Sequence, residues 1–293
     1  MTERYTVIPM VKVTPGMVLA YTVLDPPPRR SYLDIADHHV QPPPRALYTG
    51  ILSASAKKKL VKAINLLVAI AEPKKAIHFD TQKEFMFRVN FITLTLPAPQ
   101  GVITDKDLKQ KCLKQWLEYW KDRLPGMSYV WRAERQKNGN LHFHLVTDRY
   151  IHYKLIRESW NRCLAPTGLI DAYEAKHGHR HPNSTDVHAV KHVRNLGAYI
   201  AKYMSKTESK AQPIEGRVWD CSKNLKQKDA CAFPASGTDY DQLQGLMNAH
   251  TEQSFTTEHC GGVRLTEEQM QAELPPAWLV EYMAYLARIR QAK

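Results

Sequence analysis

The sequence predicts an α+β fold, in which helices cover one face of an antiparallel sheet of ferredoxin-like or RRM-like type. Along the middle of the chain the apolar residues repeatedly switch between the period of two of a strand and the period of about 3.6 of a helix. The resulting order is strand, helix, strand, strand, helix, strand, helix. A turn of glycine and asparagine joins the two consecutive strands, which is typical of an antiparallel hairpin.

Each element of this series has its own local signal. The predicted elements are strands over 85–96, 127–136, 141–146 and 185–190, and helices over 104–124, 151–164 and 192–206. The first strand is rich in β-branched and aromatic residues and ends at Pro97. The first helix carries Trp116 and Trp120 on one side, as an amphipathic helix does. In the turn Lys137–Asn140, Gly and Asn tolerate positive φ.

The flanking parts of the chain are predicted to be N- and C-terminal helical extensions. The predicted division is residues 1–80, a central domain over 81–225, and residues 226–293. A basic helix over 53–71 lies in the first extension, where the prolines of 26–28 and 42–44 predict extended connectors. An amphipathic helix begins near Pro276 in the last extension.

Composition indicates a protein that binds a polyanion. Among 293 residues, 41 Lys and Arg exceed 29 Asp and Glu, which favours nucleic acid as the partner. The five cysteines form no C-x-x-C pair and are expected to be reduced, as in the cytoplasm of a bacterial host. No signal segment or membrane span is predicted. A G-x-x-x-x-G-K-[ST] loop is absent, which argues against a helicase motor.

A His-x-His pair suggests a metal site. His142 and His144 are two apart on a predicted strand and therefore project from the same face, while Phe143 points to the other. Glu134 is the candidate third ligand across the hairpin. A loop of three or five residues would place Glu134 opposite a histidine, whereas two or four would turn it away. We expect a divalent ion, Mg²⁺ or Mn²⁺, although a half-exposed strand without metal is the alternative.

The last helix of the series carries candidate nucleophiles. Tyr199 and Tyr203 are neighbours at i and i+4, with Lys202 and Lys206 on the same side. A free phenol titrates near about pH 10, so it needs activation. A cation stabilises phenolate, and Lys202 is expected to hold a phosphate oxygen or neutralise the transition state. The alternative is that the tyrosines pack structurally and the lysines are solvated.

Three basic residues are candidate DNA contacts outside the chemistry. Lys206 follows the tyrosine pair, and Arg132 and Arg135 flank Glu134 on its strand. Each could neutralise a backbone phosphate. For the two arginines a solvated hairpin is the equal alternative.

Taken together, these motifs resemble the HUH endonuclease superfamily, in particular the two-tyrosine rolling-circle replication initiators of small phages, plasmids and single-stranded DNA viruses. Phe91–Pro97 resembles the first-strand motif, and Glu134 with His142-Phe-His144 resembles the metal motif. Tyr199-Ile-Ala-Lys202-Tyr203 resembles the nucleophile motif, and residues 217–225 resemble a tail segment. The resemblance covers about residues 85–225.

The resemblance implies a replication initiator that cuts and rejoins single-stranded DNA at an origin or extruded hairpin. A tyrosine would attack a phosphodiester, form a 5′-phosphotyrosine link and free a 3′-OH for a host polymerase, with a host helicase unwinding the duplex. Either both tyrosines alternate or one acts alone, in which case Tyr199 is the candidate. Two alternatives stay open. One is a two-tyrosine transposase or mobilisation relaxase, and the other is a non-catalytic nucleic-acid-binding protein.

Overall fold

The computed structural model describes residues 6–25, 50–77, 81–189, 196–204, 213–226 and 230–292. The strands are β1 (Thr6–Thr14), β2 (Met17–Asp25), β3 (Lys74–Ile77), β4 (Glu84–Phe87), β5 (Asn90–Leu94), β6 (Tyr129–Arg135), β7 (Leu141–Thr147), β8 (Thr185–Ala189), β9 (Trp219–Cys221), β10 (Cys231–Pro234), β11 (Ser254–Thr256) and β12 (Cys260–Arg264). The helices are α1 (Ala54–Ile70), α2 (Lys114–Arg123), α3 (Tyr153–Leu164), α4 (Leu169–His177), α5 (Leu196–Met204), α6 (Gly237–Ala249), α7 (Glu267–Glu273) and α8 (Pro276–Gln291). The predicted α+β class with antiparallel strands is confirmed.

The chain forms two compact units. The terminal unit comprises Met1–Leu47 and Lys228–Arg288, and the central unit comprises Tyr48–Gln227 and Ile289–Lys293. The two candidate motifs, on β6–β7 and on α5, both belong to the central unit.

The main sheet of the central unit has five strands in the order β8-β5-β7-β6-β9. One face carries the principal core, in which Phe143 is fully buried between the rings of Trp131 and Trp160. Helix α3 and the helical stretch that begins at Asp105 cover this face. The stretch runs through a turn (Asp105–Asp107) and a π-helical segment (Leu108–Leu113) into α2. The Trp160 indole N–H donates to the Thr95 carbonyl at 2.8 Å, so its polar atom is satisfied in the core.

Helices also lie against the opposite face of this sheet, an arrangement that the sequence did not predict. Helix α1 contacts both α5 and β6. Val130 and Val146, which point away from the principal core, are nevertheless fully buried. Because β6 and β7 carry apolar side chains on both faces, each face needs a cover of helices.

The predicted strand over 85–96 is two strands. β4 pairs with β3 in a small separate sheet, and β5 joins the main sheet. Burial alternates through Phe87 and Val89, then shifts phase by one residue to Ile92 and Leu94. A one-residue phase shift cannot continue within one regular strand, since successive side chains point to opposite faces. Composition predicted the strand content, and the phase shift marks the break.

The terminal unit contains a five-stranded antiparallel sheet in the order β10-β1-β2-β12-β11. Val11, Val13 and Val18 are fully buried on one side of it. The sequence predicted only helical extensions here, and α1 and α8 are present near the predicted positions. The sheet was missed because its strands come from both ends of the chain. The proline-rich segments 26–28 and 42–44 lie outside the described residues.

Candidate metal centre and tyrosine helix

The β6–β7 hairpin fixes the register of the candidate metal ligands. The Gln136 amide donates to the Asn140 carbonyl at 2.9 Å, and the Gly139 amide donates to the Gln136 carbonyl at 2.9 Å. This leaves a three-residue loop, in which Gly139 has φ +84°, the left-handed conformation that glycine adopts without strain. An odd loop places Glu134 directly opposite His142. Of the registers that the sequence left open, the structure has the one that faces Glu134 toward the histidines.

Glu134, His142 and His144 form a compact donor group, with one ligand atom from each lying within 4.8 Å of the others. The Glu134 Oε2 atom is 3.0 Å from His144 Nε2 and 3.5 Å from His142 Nε2. The two imidazole centroids are 4.4 Å apart. The three side chains are partly buried, at the end of the hairpin where two strands present them to the same side.

The electrostatics of this triad suit a cation. Interactions with the imidazoles of His142 and His144 hold the pKa of Glu134 well below its usual range, so the carboxylate stays ionised. Burial lowers the pKa of His144, which favours its neutral form despite the neighbouring carboxylate. A carboxylate and a neutral imidazole are the protonation states that bind metal ions.

The residues present fit a divalent ion. His142 Nε2 is buried and has no hydrogen-bond partner among the described residues. A buried polar atom left unsatisfied destabilises the fold, and a metal ion in the triad would satisfy it. Two imidazoles and one carboxylate suit Mn²⁺ better than Mg²⁺, which prefers oxygen ligands.

Thr93 supports the triad from the neighbouring strand, and sequence analysis did not single it out. It lies directly opposite His144 in the β5–β7 register, and its Oγ1 is 3.3 Å from His144 Nδ1. A partner at the second ring nitrogen orients a ligand histidine and fixes its tautomer. Its position within the predicted first-strand motif was the available signal, but the β5–β7 register was needed to connect it with His144.

Helix α5 lies on the same side of the sheet as the triad. Arg132, two residues before Glu134 on β6, donates from Nη1 to the Met204 carbonyl at the end of α5, at 2.6 Å. Ile200 and Met204 are fully buried, which confirms the apolar stripe predicted to seat this helix. Tyr199 is 41% exposed, and Lys202 is exposed on the following turn.

Two predicted site residues fall partly or wholly outside the description. Tyr203 belongs to α5, although its side chain is not described. Lys206 lies outside the described residues.

Arg132 and Arg135, predicted as DNA contacts, are engaged inside the protein instead. Arg132 is fully buried, with its guanidinium against the end of α5. Arg135 pairs with the buried carboxylate of Asp105 at 2.6 Å. Neither guanidinium is therefore presented to a DNA backbone. The prediction was wrong because strand alternation gives the face of a side chain but not what packs over that face.

Comparison with known proteins gives one match. The sequence profile of a family described as replication-associated protein ORF2 matches residues 89–208, less than half of the chain. The matched stretch contains β5 to α5, and with them the triad and both tyrosines. The match supports a replication-associated role and DNA as the partner. No curated protein and no solved structure matches the chain. Within the described ranges, no helix has the length and hydropathy that a membrane crossing requires.

Proposed function

We propose that this protein initiates replication by cutting and rejoining single-stranded DNA through attack by a tyrosine, in the manner of HUH endonucleases. The observation that carries the proposal is the juxtaposition on one sheet face. The triad of Glu134, His142 and His144 lies there, and the helix that bears Tyr199 is anchored on the same side. The replication-associated match over 89–208 supports the same reading. We assign the activity to residues 81–225.

The proposed step transfers a phosphoryl group from DNA to the protein. The Tyr199 hydroxyl loses its proton as its oxygen attacks phosphorus, and the bond from phosphorus to the 3′ oxygen breaks. The leaving oxygen takes up a proton and becomes a free 3′-OH, while the 5′ phosphate stays linked to the tyrosine. The energy of the broken ester is retained in the phosphotyrosine. Attack by a 3′-OH therefore reverses the step and rejoins a strand without ATP.

Residues of this chain supply the required charge and access. Glu134, His142 and His144 would hold the divalent ion, which when bound draws charge from the scissile phosphate. Tyr199 is accessible on the exposed side of α5. Lys202 is exposed one turn later on the same helix, where its ammonium can stabilise phenolate or a non-bridging oxygen. Tyr203 is the candidate for a second cleavage.

The test uses labelled single-stranded oligonucleotides that tile the source replicon, incubated with Mn²⁺ or EDTA and separated on a denaturing gel. We expect an SDS-resistant protein–DNA band that requires metal. Tyr199→Phe and Tyr203→Phe singly should retain an adduct if both act, and the double variant should lose it. Tyr173→Phe, a change on α4, is the matched control. DNA binding without an adduct on any segment would contradict the proposal and favour a non-catalytic binding protein.

The biological setting is part of the same proposal. The free 3′-OH would prime a host polymerase, and a host helicase would unwind the duplex in the cytoplasm of a bacterial cell. A transposase or mobilisation relaxase would use the same residues on different DNA. Cleavage confined to an origin sequence that supports replication in cells would favour the initiator.

A further inference from the structure

Arg132 connects the strand of the metal triad to the helix of the tyrosines. It lies directly opposite His144 in the β6–β7 register and two residues from Glu134 on β6. Its side chain is fully buried, and Nη1 donates to the Met204 carbonyl at 2.6 Å. The contact spans 72 positions of sequence. One side chain thus contacts the last residue of α5 from a strand position next to the triad.

The chemistry of this contact favours a firm connection. The last carbonyls of a helix lack intrahelical amide partners and carry partial negative charge. A guanidinium that donates to such a carbonyl makes a charge-assisted hydrogen bond, which is shorter and stronger than a neutral one. Burial raises the penalty for breaking it, because the charge would then be left in an apolar setting. The end of α5 is therefore held against β6.

The other end of α5 is held by packing. Gly197 is buried against α1, and a Cβ atom at this position would lie 2.5 Å from the Asn65 Oδ1 atom. Only glycine allows so close an approach without a shift of the neighbouring side chain. Helix α5 is thus fixed at Gly197 by α1 and at Met204 by Arg132, and Tyr199 and Lys202 lie between the two points.

We propose that Arg132 is a positioning residue, which holds the tyrosine helix at a fixed distance and angle from the metal triad. The proposal rests on the proposed function. In-line attack requires the phenol oxygen within about 3–3.5 Å of phosphorus, and a 1 Å misplacement can lower a rate about 100-fold. Because Arg132 neighbours His144 across the hairpin and contacts α5 directly, it keeps nucleophile and metal in register.

The test compares Arg132→Met with Arg135→Met in the full-length protein. Both changes remove a largely buried arginine from β6, but Arg135 pairs with Asp105 and does not contact α5. Three quantities are measured: the kcat and KM for adduct formation on a nicking oligonucleotide, the Mn²⁺ affinity by titration calorimetry, and amide hydrogen exchange of residues 196–204.

We expect Arg132→Met to lower kcat by about 100-fold through misplacement of the nucleophile. KM and Mn²⁺ affinity should stay close to wild type, and exchange at the end of α5 should become faster. Arg135→Met should leave kcat and α5 exchange unchanged. Arg132→Lys, which keeps a charged donor, should recover a large part of the lost kcat. If Arg132→Met does not fold, Arg132→Lys and Arg132→Gln give the same comparison with milder changes.

Two results would overturn the inference. One is a kcat loss in Arg132→Met no greater than that in Arg135→Met, and the other is a parallel loss of Mn²⁺ affinity, which would make Arg132 part of the metal site. A wild-type protein without any adduct would refute the proposed function instead. In that case hydrogen exchange still decides, because unchanged exchange of α5 in Arg132→Met would show that Arg132 does not hold the helix.

Discussion

Addition of Mn²⁺ should raise the thermal stability of this protein through the triad. Glu134, His142 and His144 lie together only in the folded chain, because the hairpin register joins them, so the ion binds the native state preferentially. A ligand at 100 times its Kd stabilises by about 2.7 kcal/mol. For domains of about 150–250 residues, 1 kcal/mol shifts Tm by about 2–4 °C. We therefore expect the unit that contains Tyr48–Gln227 to gain roughly 5–11 °C.

The assay is differential scanning calorimetry of the metal-free protein with EDTA or with increasing Mn²⁺. Glu134→Gln keeps the size of the side chain but removes the charged ligand, so most of the gain in Tm should disappear. His181→Ala removes an exposed histidine far along the chain and should keep the full gain. A wild-type Tm that does not respond to Mn²⁺ would refute the reasoning. So would an equal gain in Glu134→Gln, which would place the ion elsewhere.

Three further predictions test the core, the electrostatics and the register. Phe143→Ala should lower the free energy of unfolding in urea by about 3–5 kcal/mol because its ring is fully buried, whereas Val102→Ala, at a 99% exposed position, should change it little. In the metal-free protein, NMR should show His144 titrating below its ordinary 6.5. The unfolded chain then binds the proton more readily, so this residue reduces stability as pH falls below 6.5, and Glu134→Gln should lower the pKa of His144 further, since the carboxylate raises it. One residue inserted after Gly139 makes the loop even and should abolish stabilisation by Mn²⁺; a titration of His144 at or above 6.5, or an insertion variant that still responds to Mn²⁺, would contradict these accounts.

The metal triad could be predicted from sequence because local rules decide it. Strand alternation puts His142 and His144 on one face, and an odd loop puts Glu134 opposite them. The glycine at position 139 indicated a three-residue loop, and the structure has one. The triad thus depends on residues within one hairpin.

The surroundings of the triad could not be predicted in the same way, because they depend on contacts between distant segments. Arg132 was assigned to solvent, but α5 covers it in the folded chain. Thr93 meets His144 only through the β5–β7 pairing. The sheet of the terminal unit combines β1 and β2 with strands beyond residue 230, so no local pattern reveals it. Propensity and periodicity describe segments, whereas these features depend on which segments meet.

The most direct test of the central claim is to identify the amino acid that becomes linked to DNA. Trypsin cuts after Arg194, Lys202 and Lys206, so Tyr199 and Tyr203 fall on separate peptides. The adduct formed with Mn²⁺ is digested with nuclease and trypsin and analysed by mass spectrometry. The account predicts a nucleotide phosphate on the tyrosine of peptide 195–202, or on that of 203–206 as well if both act. A link to any residue outside α5, or no covalent link on a cleaved substrate, would contradict it.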